Sequence, residues 1–388
     1  MKREKIAALT LALALLTACV PRGAAPDPTP TPTPTRTPAE KVEWLHGFYA
    51  ISAYDQLPLT EKLDAVSLGW ARLCFDPEVG PWVNSTSEGG NGWVVPLGSE
   101  EVLDTLAKHG VNYPLSVFTS QQSKTTLPDG TESNVLVTVI SEDYRAAAVD
   151  ALVAAAEGYT GLTVDFEGLS SGAYREDFTA FMTLLREKLD RGKTLYVAVP
   201  PDEWYAGYDY HALGELCDRV ILMAHDYQWT SLPAEASELG STYTPLTPIY
   251  RVRLALEHIT DPETGVADVS KVALALSFAT VGVEVEEDDD FCIGDRLYTP
   301  SVATLATRLA QADAEIGWDE SSASSFVFYH DEEGRRYKVW YESPQSVEAK
   351  LDLALSYGVS GLSLWRLGTV PDYPHYDVWR VILERARR

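Results

Sequence analysis

The stretch YTGLTVDFEGL, residues Tyr159–Leu169, alternates polar and apolar side chains and places two carboxylates two positions apart. Successive side chains of a β-strand point to opposite faces, so Thr163, Asp165 and Glu167 share one face. The opposite face is apolar and consists of Leu162, Val164 and Phe166. This pattern predicts a barrel strand whose acids point into the interior, with Glu167 at the carboxyl end, where such barrels carry their chemistry.

From Trp44 onward, short apolar runs rich in β-branched residues alternate with segments of helical periodicity. The runs predict eight strands, at 45–51, 65–72, 113–118, 161–166, 194–199, 219–225, 272–278 and 360–366. The intervening periodicity predicts helices at 99–109, 142–157, 174–190, 209–217, 248–260, 301–315, 344–357 and 374–387. Eight strand-then-helix units favour a closed α/β fold, the (β/α)8 TIM barrel, over an open doubly wound sheet.

The interval between the seventh and eighth strands is unusually long, at about residues 279–343. It contains FVFYHDEEGRRYKVWYES, which predicts a β-hairpin that turns at Glu333-Gly334. We therefore expect a small α+β insertion that forms one wall of a cleft at the barrel mouth. The acidic run Glu284 to Asp290 is typical of a solvated loop, and no metal site is predicted from it.

The chain has 388 residues and a formal net charge of −26, with 57 acidic and 31 basic residues. This charge would repel a polyanion, so nucleic acid is excluded as a partner. Ten Trp and twenty Tyr supply flat faces suited to sugar rings, although core packing accounts for most of them. We expect a monomer.

Residues 1–19 resemble an export signal, with a basic start and an apolar run too short to span a bilayer. The run ends in LTAC, which is similar to the bacterial lipoprotein processing box and implies a lipid on Cys19. Residues 20–40 alternate Pro with Thr and predict an extended linker before the domain at 41–388. We therefore expect an extracytoplasmic protein, anchored to the bacterial cell membrane by lipid. An ordinary cleaved signal is the alternative.

Cys74, Cys217 and Cys292 are widely spaced, and three is an odd number. No disulfide framework or zinc pattern fits this spacing. We expect buried thiols, with one bridge left open as an alternative.

Two carboxylates in a partly dry pocket repel each other, which raises the pKa of one and keeps it protonated near neutral pH. Asp165 and Glu167 thus form a candidate general-acid pair of the glycosidase type. The alternative is structural: strand-end acids also bind loop N–H groups or cap the following helix. A lone acid would favour the structural alternative, whereas the pair in this fold favours catalysis.

At this strand the chain resembles glycoside hydrolase family 18, the chitinase-like barrels, whose fourth strand carries Asp-Gly-x-Asp-x-Asp-x-Glu. The present TGLTVDFE keeps Gly161, Asp165 and Glu167, and has Thr160 and Thr163 in place of the first two acids. Further resemblance lies in VILMAHDYQW (220–229), YDYHALGELCDRV (208–220) and GLSLWRLG (361–368). The hairpin and the segment after it are similar to the branch that holds bacterial spore and cell-wall hydrolases.

The resemblance implies that the substrate's own 2-acetamido oxygen attacks the sugar C1, so no enzyme nucleophile is needed. By the same resemblance, Glu167 is the proton donor, and Asp165 holds the acetamido N–H and stabilises the oxazolinium-like intermediate. Trp365 would form the floor of the pocket by stacking under the sugar, with ordinary barrel packing as the alternative. Asp226 would line the sugar site.

Two departures from the family pattern concern the sugar site. His225 stands where the family has a Tyr that binds the acetamido carbonyl; its ring N–H could replace the phenol, or it could be a satisfied polar residue of the core. Tyr227, at the same parity as Met223 and His225 on the expected strand, could take over from that phenol, and Met223 and Thr163 are also expected to contact the substrate. Thr163 replaces an acid that shares a proton with Asp165, so an altered pH profile or a weakened enzyme is expected.

The leading hypothesis is a retaining glycosidase that needs no cofactor and cleaves β-1,4-linked N-acetylglucosamine glycans, either peptidoglycan or chitin-like. The alternative is a weakened or inactive glycan-binding surface lipoprotein, which Thr160, Thr163 and His225 favour. A third class, a structural or partner-docking surface protein, predicts no affinity for sugars.

Overall fold

The computed structural model describes residues 37–84, 99–201, 204–232 and 240–386. All of them belong to one compact unit, Arg36–Arg388. The expected signal segment 1–19, with Cys19, and residues 20–36 of the expected linker lie outside the described residues. Within the described ranges, no helix is both long enough and apolar enough to cross a membrane.

The described strands are β1 (Trp44–Tyr49), β2 (Ala65–Asp76), β3 (Gly80–Asn84), β4 (Leu115–Ser120), β5 (Lys124–Thr126), β6 (Glu132–Asn134), β7 (Gly161–Glu167), β8 (Thr194–Val199), β9 (Arg219–Leu222), β10 (Val272–Ser277), β11 (Val281–Val285), β12 (Cys292–Tyr298), β13 (Glu315–Asp319), β14 (Ser324–His330), β15 (Arg336–Tyr341), β16 (Gly361–Trp365), β17 (Asp372–Tyr373) and β18 (Tyr376–Asp377). The described α-helices are α1 (Ser99–His109), α2 (Val135–Ile140), α3 (Glu142–Ala155), α4 (Arg175–Lys188), α5 (Tyr210–Leu216), α6 (Ile249–Ile259), α7 (Val302–Leu309), α8 (Pro344–Ser356) and α9 (Val378–Ala386). Short 3-10 helices cover Ile51–Lys62, Gly172–Tyr174 and Val269–Lys271.

Eight strands pair in parallel in the order β1-β16-β10-β9-β8-β7-β4-β2, and β1 also pairs with β2, so the sheet closes. This is the predicted (β/α)8 barrel. The hairpin strand β3 extends β2 on the outside in antiparallel register. Because all eight strands run the same way, their carboxyl ends meet at one mouth.

Strand β7 has the two faces that its alternation predicted. Phe166 is fully buried on the outer face, with its ring centroid 5.5 Å from Phe181 and 6.2 Å from Phe178 of α4. Burial of a side chain of this size contributes about 1.5–3 kcal/mol. Thr163 and Asp165 are buried as well, on the inner face. The packing of α4 therefore fixes which face of β7 carries the acids.

The predicted insertion is a five-stranded antiparallel sheet, in the order β12-β11-β15-β14-β13, with helix α7. The β14–β15 hairpin turns between Asp331 and Arg335, and Gly334 adopts a φ of 78°, which glycine adopts readily. The Trp340 Nε1–H donates to the Thr242 carbonyl at 2.9 Å. The insertion thus supports the loop that follows β9.

Three predicted bounds need correction. The sixth barrel strand ends at Leu222, before residue 225, because the chain turns and Asp226 takes a φ of 58°. The helix predicted at 301–315 ends at Leu309, since residues 315–319 pair with β14 instead. The second strand continues to Asp76, where pairing with β3 extends it.

The three described cysteines are free, and only Cys217 is fully buried. Cys74 and Cys292 are partly exposed, which corrects the expectation that all three are buried.

A buried ion pair lies at the junction of insertion and barrel: the Lys350 ammonium is 2.7 Å from the Glu342 carboxylate, and both side chains are almost fully buried. Burial makes each charge dependent on the other.

Candidate active site

The acids of β7 lie at the barrel mouth, one deeper than the other. Asp165 is 1% exposed and pairs in register with Phe118 of β4, whereas Glu167, two residues further on, is partly exposed. Gly168 follows with a φ of 100°, and the Tyr208 hydroxyl donates to the Phe166 carbonyl at 2.6 Å. These contacts turn the chain away immediately after Glu167 and fix the end of the strand.

Among the described residues, only one of the two carboxyl oxygens of Asp165 has a hydrogen-bond partner. Its Oδ2 accepts a hydrogen bond from the Trp70 Nε1–H at 3.2 Å, while its Oδ1 is buried and has no hydrogen-bond partner among the described residues. Burial, and then the neighbouring charge of Glu167, raises the pKa of Asp165 to about 8, against the smaller opposing effect of Trp70. Asp165 is therefore largely protonated at neutral pH, with one oxygen available to a ligand.

Glu167 is also biased toward its protonated form. Burial raises its pKa above the ordinary value, the charge of His225 opposes this, and the charge of Asp226 adds to it. A carboxyl group with a raised pKa beside open solvent is suited to protonate a leaving group. The sequence predicted a raised pKa for one acid through repulsion, whereas both pKa values are raised and burial is the main cause; the catalytic role of the pair stays a prediction.

His225 and Asp226 form a pair beyond the end of β9. The His225 Nδ1 lies 3.0 Å from the Asp226 Oδ2, and the His225 side chain is only 7% exposed. Burial alone would raise the pKa of Asp226, but the charge and hydrogen bond of His225, with hydrogen bonds to Ser277 and Gln228, lower it. An ionised Asp226 accepts from Nδ1–H and so orients the imidazole.

The second ring nitrogen of His225, Nε2, is buried and has no hydrogen-bond partner among the described residues. The ring is stacked against Trp365, with centroids 6.1 Å apart and planes 19° apart. Since Asp226 turns the chain out of the strand, His225 occupies a loop rather than the strand face expected for it. Met223, the other member of that expected face, is partly exposed just after β9.

Trp365 lies in an aromatic cluster that sequence reasoning found only in part. Its ring centroid is 5.2 Å from that of Trp70 and 5.1 Å from that of Phe48. Trp70, which also binds Asp165, was missed. The sequence signal was a Trp beside a Gly near the carboxyl end of the second predicted strand, in a barrel where such ends carry chemistry.

Thr163, predicted to contact substrate, is fully buried in the barrel interior. Its hydroxyl lies 2.6 Å from that of Ser67, which lies 2.8 Å from His46 Nε2; the His46 Nδ1 lies 2.8 Å from the Ser363 hydroxyl. Burial lowers the pKa of His46 to about 3, so this chain of side chains is uncharged at neutral pH. Thr163 therefore belongs with the neutral interior chain below Asp165 and not with the groups at the mouth.

Tyr227 points to a neighbouring cavity. Its ring is stacked on Trp204 at a centroid distance of 6.1 Å, and both rings line a cavity of about 300 Å³. The structure thus brings together Asp165, Glu167, His225, Asp226 and Trp365, and it places Tyr227 beside them in a second group. Within the described ranges, no group of three His, Cys, Asp or Glu residues is arranged to hold a metal ion.

A closed parallel barrel with two acids of raised pKa and an aromatic cluster near its carboxyl mouth is typical of the barrel glycoside hydrolases. The family model described as "Glycosyl hydrolases family 18" matches residues 133–369, which is more than half of the chain. The chain belongs to this family, as the resemblance of its fourth strand predicted.

Relatives and solved structures agree with this assignment. The cortical fragment-lytic enzyme of Bacillus subtilis (strain 168) is 26% identical over 231 residues, which cover 54% of this chain and 47% of that protein. The spore cortex-lytic enzyme SleL of Bacillus cereus superimposes with a TM-score of 0.65 at 17% identity, over 90% of this chain and 75% of SleL. A chitinase from Chromobacterium violaceum gives 0.67 at 19% identity, over 89% and 99%.

The chain spans about half the length of the B. subtilis relative it matches. At 17% and 19% sequence identity, the two solved structures show that the fold is shared.

Proposed function

We propose that this protein hydrolyses β-1,4-linked N-acetylglucosamine glycans, either peptidoglycan or chitin-like, by a substrate-assisted mechanism that retains configuration. The observation that carries the proposal is the pairing of a partly exposed Glu167 with a buried Asp165, both with raised pKa values. The relatives named cortical fragment-lytic enzyme and chitinase support the substrate class.

In the proposed first step, Glu167 donates its proton to the glycosidic oxygen while the substrate's acetamido carbonyl oxygen attacks C1. The C1–O bond breaks, the leaving sugar keeps the proton, and an oxazolinium ring forms. In the second step, the Glu167 carboxylate removes a proton from water, whose oxygen attacks C1 and reopens the ring. Glu167 is thereby protonated again, and the configuration at C1 is retained.

Asp165 is proposed to hold the acetamido N–H through its Oδ1, which lacks a hydrogen-bond partner among the described residues. Trp70 fixes the other oxygen and so sets the direction of the carboxyl group. In the molecules whose Asp165 is already ionised, the carboxylate attracts the positive charge that develops on the oxazolinium ring, because opposite charges a few ångströms apart attract strongly in a buried site. Asp165 thus stabilises the intermediate more than the bound substrate.

His225 is proposed to bind the acetamido carbonyl through Nε2–H. Asp226 accepts from Nδ1, so a proton on Nε2 requires the imidazolium form of the ring. The pair would therefore replace the family's Tyr by a ring N–H donor that Asp226 holds in place. Trp365, against which His225 is stacked, is proposed to support the sugar ring from below.

A second candidate function is glycan binding with weak or no hydrolysis. The observation that favours it is the neutral interior chain of Thr163, Ser67 and His46, which stands where the family pattern has an acid. Without that acid, Asp165 has no carboxylate below it with which to share a proton. Binding would survive this change, since the aromatic cluster of Trp365, Trp70 and Phe48 does not depend on that acid.

The two functions are separated by assaying soluble chitooligosaccharides with the wild type and with Glu167→Gln. Hydrolysis predicts that the variant loses several orders of magnitude in kcat while still binding substrate, because the sole proton donor is removed. Glu187→Gln, an exposed acid on α4, is the matched control and keeps the wild-type rate. A Glu167→Gln variant with a near-wild-type rate would refute the assignment. Equal binding with no turnover in either protein would favour the second function.

We also propose that Cys19 carries a lipid that anchors a monomeric domain to the outer side of the cell membrane, with residues 20–40 as the linker. The LTAC tetrapeptide supports this. Labelled palmitate should enter the wild type and not Cys19→Ser, and only the wild type should fractionate with membranes.

A further inference from the structure

The second barrel strand contains an irregularity shortly before it reaches the mouth. Three steps along β2, from Leu68 to Ala71, lie opposite two steps along β4, from Leu115 to Val117. One extra residue of this kind is a β-bulge, and it reverses the alternation of the side chains that follow it. Bulges are frequent beside active sites, where they redirect a side chain.

The bulge turns Trp70 toward the inside of the barrel. Ser67, which precedes the bulge, points inward, since its hydroxyl lies 2.6 Å from that of the inner residue Thr163. Regular alternation would therefore place Gly69 on the inner face and Trp70 on the outer face. With the bulge, the Trp70 Nε1–H instead donates to the Asp165 Oδ2 at 3.2 Å, across the intervening strand β4.

Neighbouring rings hold the Trp70 indole in place. The Phe48 ring is nearly parallel to it, with planes 8° apart and centroids 6.3 Å apart, and the Trp365 ring meets it edge-on at 5.2 Å. Because hydrogen bonds are directional, an N–H on a ring held by two neighbours orients the group that accepts from it. The Asp165 carboxyl therefore has one oxygen fixed by the indole, while its Oδ1 has no hydrogen-bond partner among the described residues.

The residues below Asp165 do not replace the acid that the family pattern has at position 163. Thr163 and Ser67 carry hydroxyls, and burial keeps His46 uncharged at neutral pH by lowering its pKa to about 3. A hydroxyl can donate a hydrogen bond but does not exchange charge with a carboxyl group near neutral pH. Among the described residues, Trp70 is thus the one side chain that donates a hydrogen bond to the Asp165 carboxyl.

The Trp70 N–H also acts on the charge of Asp165. Burial, and then the charge of Glu167, raises the pKa of Asp165, and the indole is the one influence that lowers it. A hydrogen bond to an ionised carboxylate is stronger than one to a neutral carboxyl group, so the indole favours the charged form. Tyr208, which is close enough to interact with both acids, stays protonated because burial raises its pKa.

The proposed reaction needs a proton on Glu167 and a charge on Asp165. Burial raises the pKa of Glu167, the charge of His225 opposes this, and the charge of Asp226 adds to it. Since the charge of one acid favours a proton on the other, stabilising the charged form of Asp165 leaves the proton of the pair on Glu167. An N–H directed at Asp165 therefore favours the arrangement that the reaction uses.

We propose that Trp70 is a positioning residue for the hydrolysis: the bulge in β2 directs its indole N–H to Asp165, where it replaces the acid absent at position 163, holds Oδ2 and leaves Oδ1 for the substrate's acetamido group. This inference rests on the proposed function and adds a residue that acts through Asp165. Removing the N–H should move the proton of the pair toward Asp165 and deplete the reactive arrangement about tenfold, the usual effect of a hydrogen bond to a charged group.

The first experiment follows the hydrogen bond without any substrate. The indole N–H resonances of 15N-labelled wild type and Asp165→Asn are recorded by NMR from about pH 6 to about pH 9.5. The resonance that is missing from both Trp70→Phe and Trp70→Tyr should titrate in the wild type near pH 8, where Asp165 loses its proton, and should not titrate in Asp165→Asn. A Trp70 resonance that does not move in the wild type, or that moves equally in Asp165→Asn, overturns the contact.

The second experiment measures the pH dependence of kcat/KM on a soluble chitooligosaccharide. In Trp70→Phe the rate should fall about tenfold below pH 8, and the deficit should narrow as the pH rises further, because Asp165 then ionises even without the indole. A merely structural role would lower the rate by the same factor at every pH. Trp318→Phe, which removes an indole from the outer strand β13 of the insertion, is the control and keeps the wild-type profile.

The outcomes separate this inference from the proposed function. If the wild type hydrolyses the glycan and Trp70→Phe keeps the wild-type rate, or loses it equally at all pH values, the positioning role is wrong and the proposed function stands. If the Trp70 resonance titrates with Asp165 but the wild type hydrolyses no glycan, the contact stands and the proposed hydrolysis is overturned. Circular dichroism on each variant shows whether its fold is intact.

Discussion

The raised pKa of the buried Asp165 predicts that the stability of the protein depends on pH, whether or not a substrate is present. Its pKa is raised from the ordinary 3.8 to about 8 in the folded protein. Between these values the folded chain holds a proton that the unfolded chain has released, so the free energy of unfolding falls as the pH rises. One pKa unit corresponds to about 1.4 kcal/mol, which gives a loss of about 3 kcal/mol between pH 5 and pH 7.

Asp165→Asn removes this proton and preserves the shape of the side chain. The amide oxygen can still accept from the Trp70 Nε1–H, which donates to Asp165 in the wild type. We expect the variant to gain stability relative to the wild type as the pH rises, by about 1.4 kcal/mol per pH unit near pH 6. The gain should level off above about pH 8, where the folded wild type also releases the proton.

The assay is urea unfolding of both proteins at four pH values from 5 to 8, followed by tryptophan fluorescence. The difference between the two proteins reports Asp165 together with any change it causes at the neighbouring Glu167, because every other titrating group is present in both. Asp104→Asn, an exposed acid on α1, is the control and should give a curve parallel to that of the wild type. A pH-independent difference between Asp165→Asn and wild type would show that Asp165 is ionised when folded, and would remove the electrostatic basis of the site.

Two other predictions concern the frame of the barrel. Lys350→Met leaves the Glu342 carboxylate buried without its cation and should cost about 3–5 kcal/mol in urea unfolding, whereas adding Glu342→Gln to it should recover much of this loss. Gly161→Ala would bring a Cβ within 2.1 Å of the Thr194 carbonyl oxygen and should cost about 1–3 kcal/mol, while Gly192→Ala, which has room, should be nearly neutral by thermal melting.

The succession of strands and helices along the chain and the acid pair were readable from the sequence because both depend on local periodicity. Alternation along 161–166 gives the two faces of β7, and Asp165 and Glu167 follow from parity alone. The strand predicted at 219–225 failed at its carboxyl end, where Asp226 leaves the extended conformation. Asp can adopt a positive φ, but the sequence does not distinguish an Asp in that conformation from any other polar residue that follows a strand.

The sequence by itself determined the repeating strand–helix pattern, the insertion and the presence of two acids on one face of β7, since each is encoded within a few residues. Only the tertiary structure decided what surrounds them. The hydrogen bond between Trp70 and Asp165 joins residues 95 positions apart in the sequence, and that between His46 and Ser363 joins residues 317 positions apart. Such contacts depend on barrel closure and strand register, which many remote residues set jointly. Desolvation follows from the same closure, and it is the main cause of the raised pKa of Asp165.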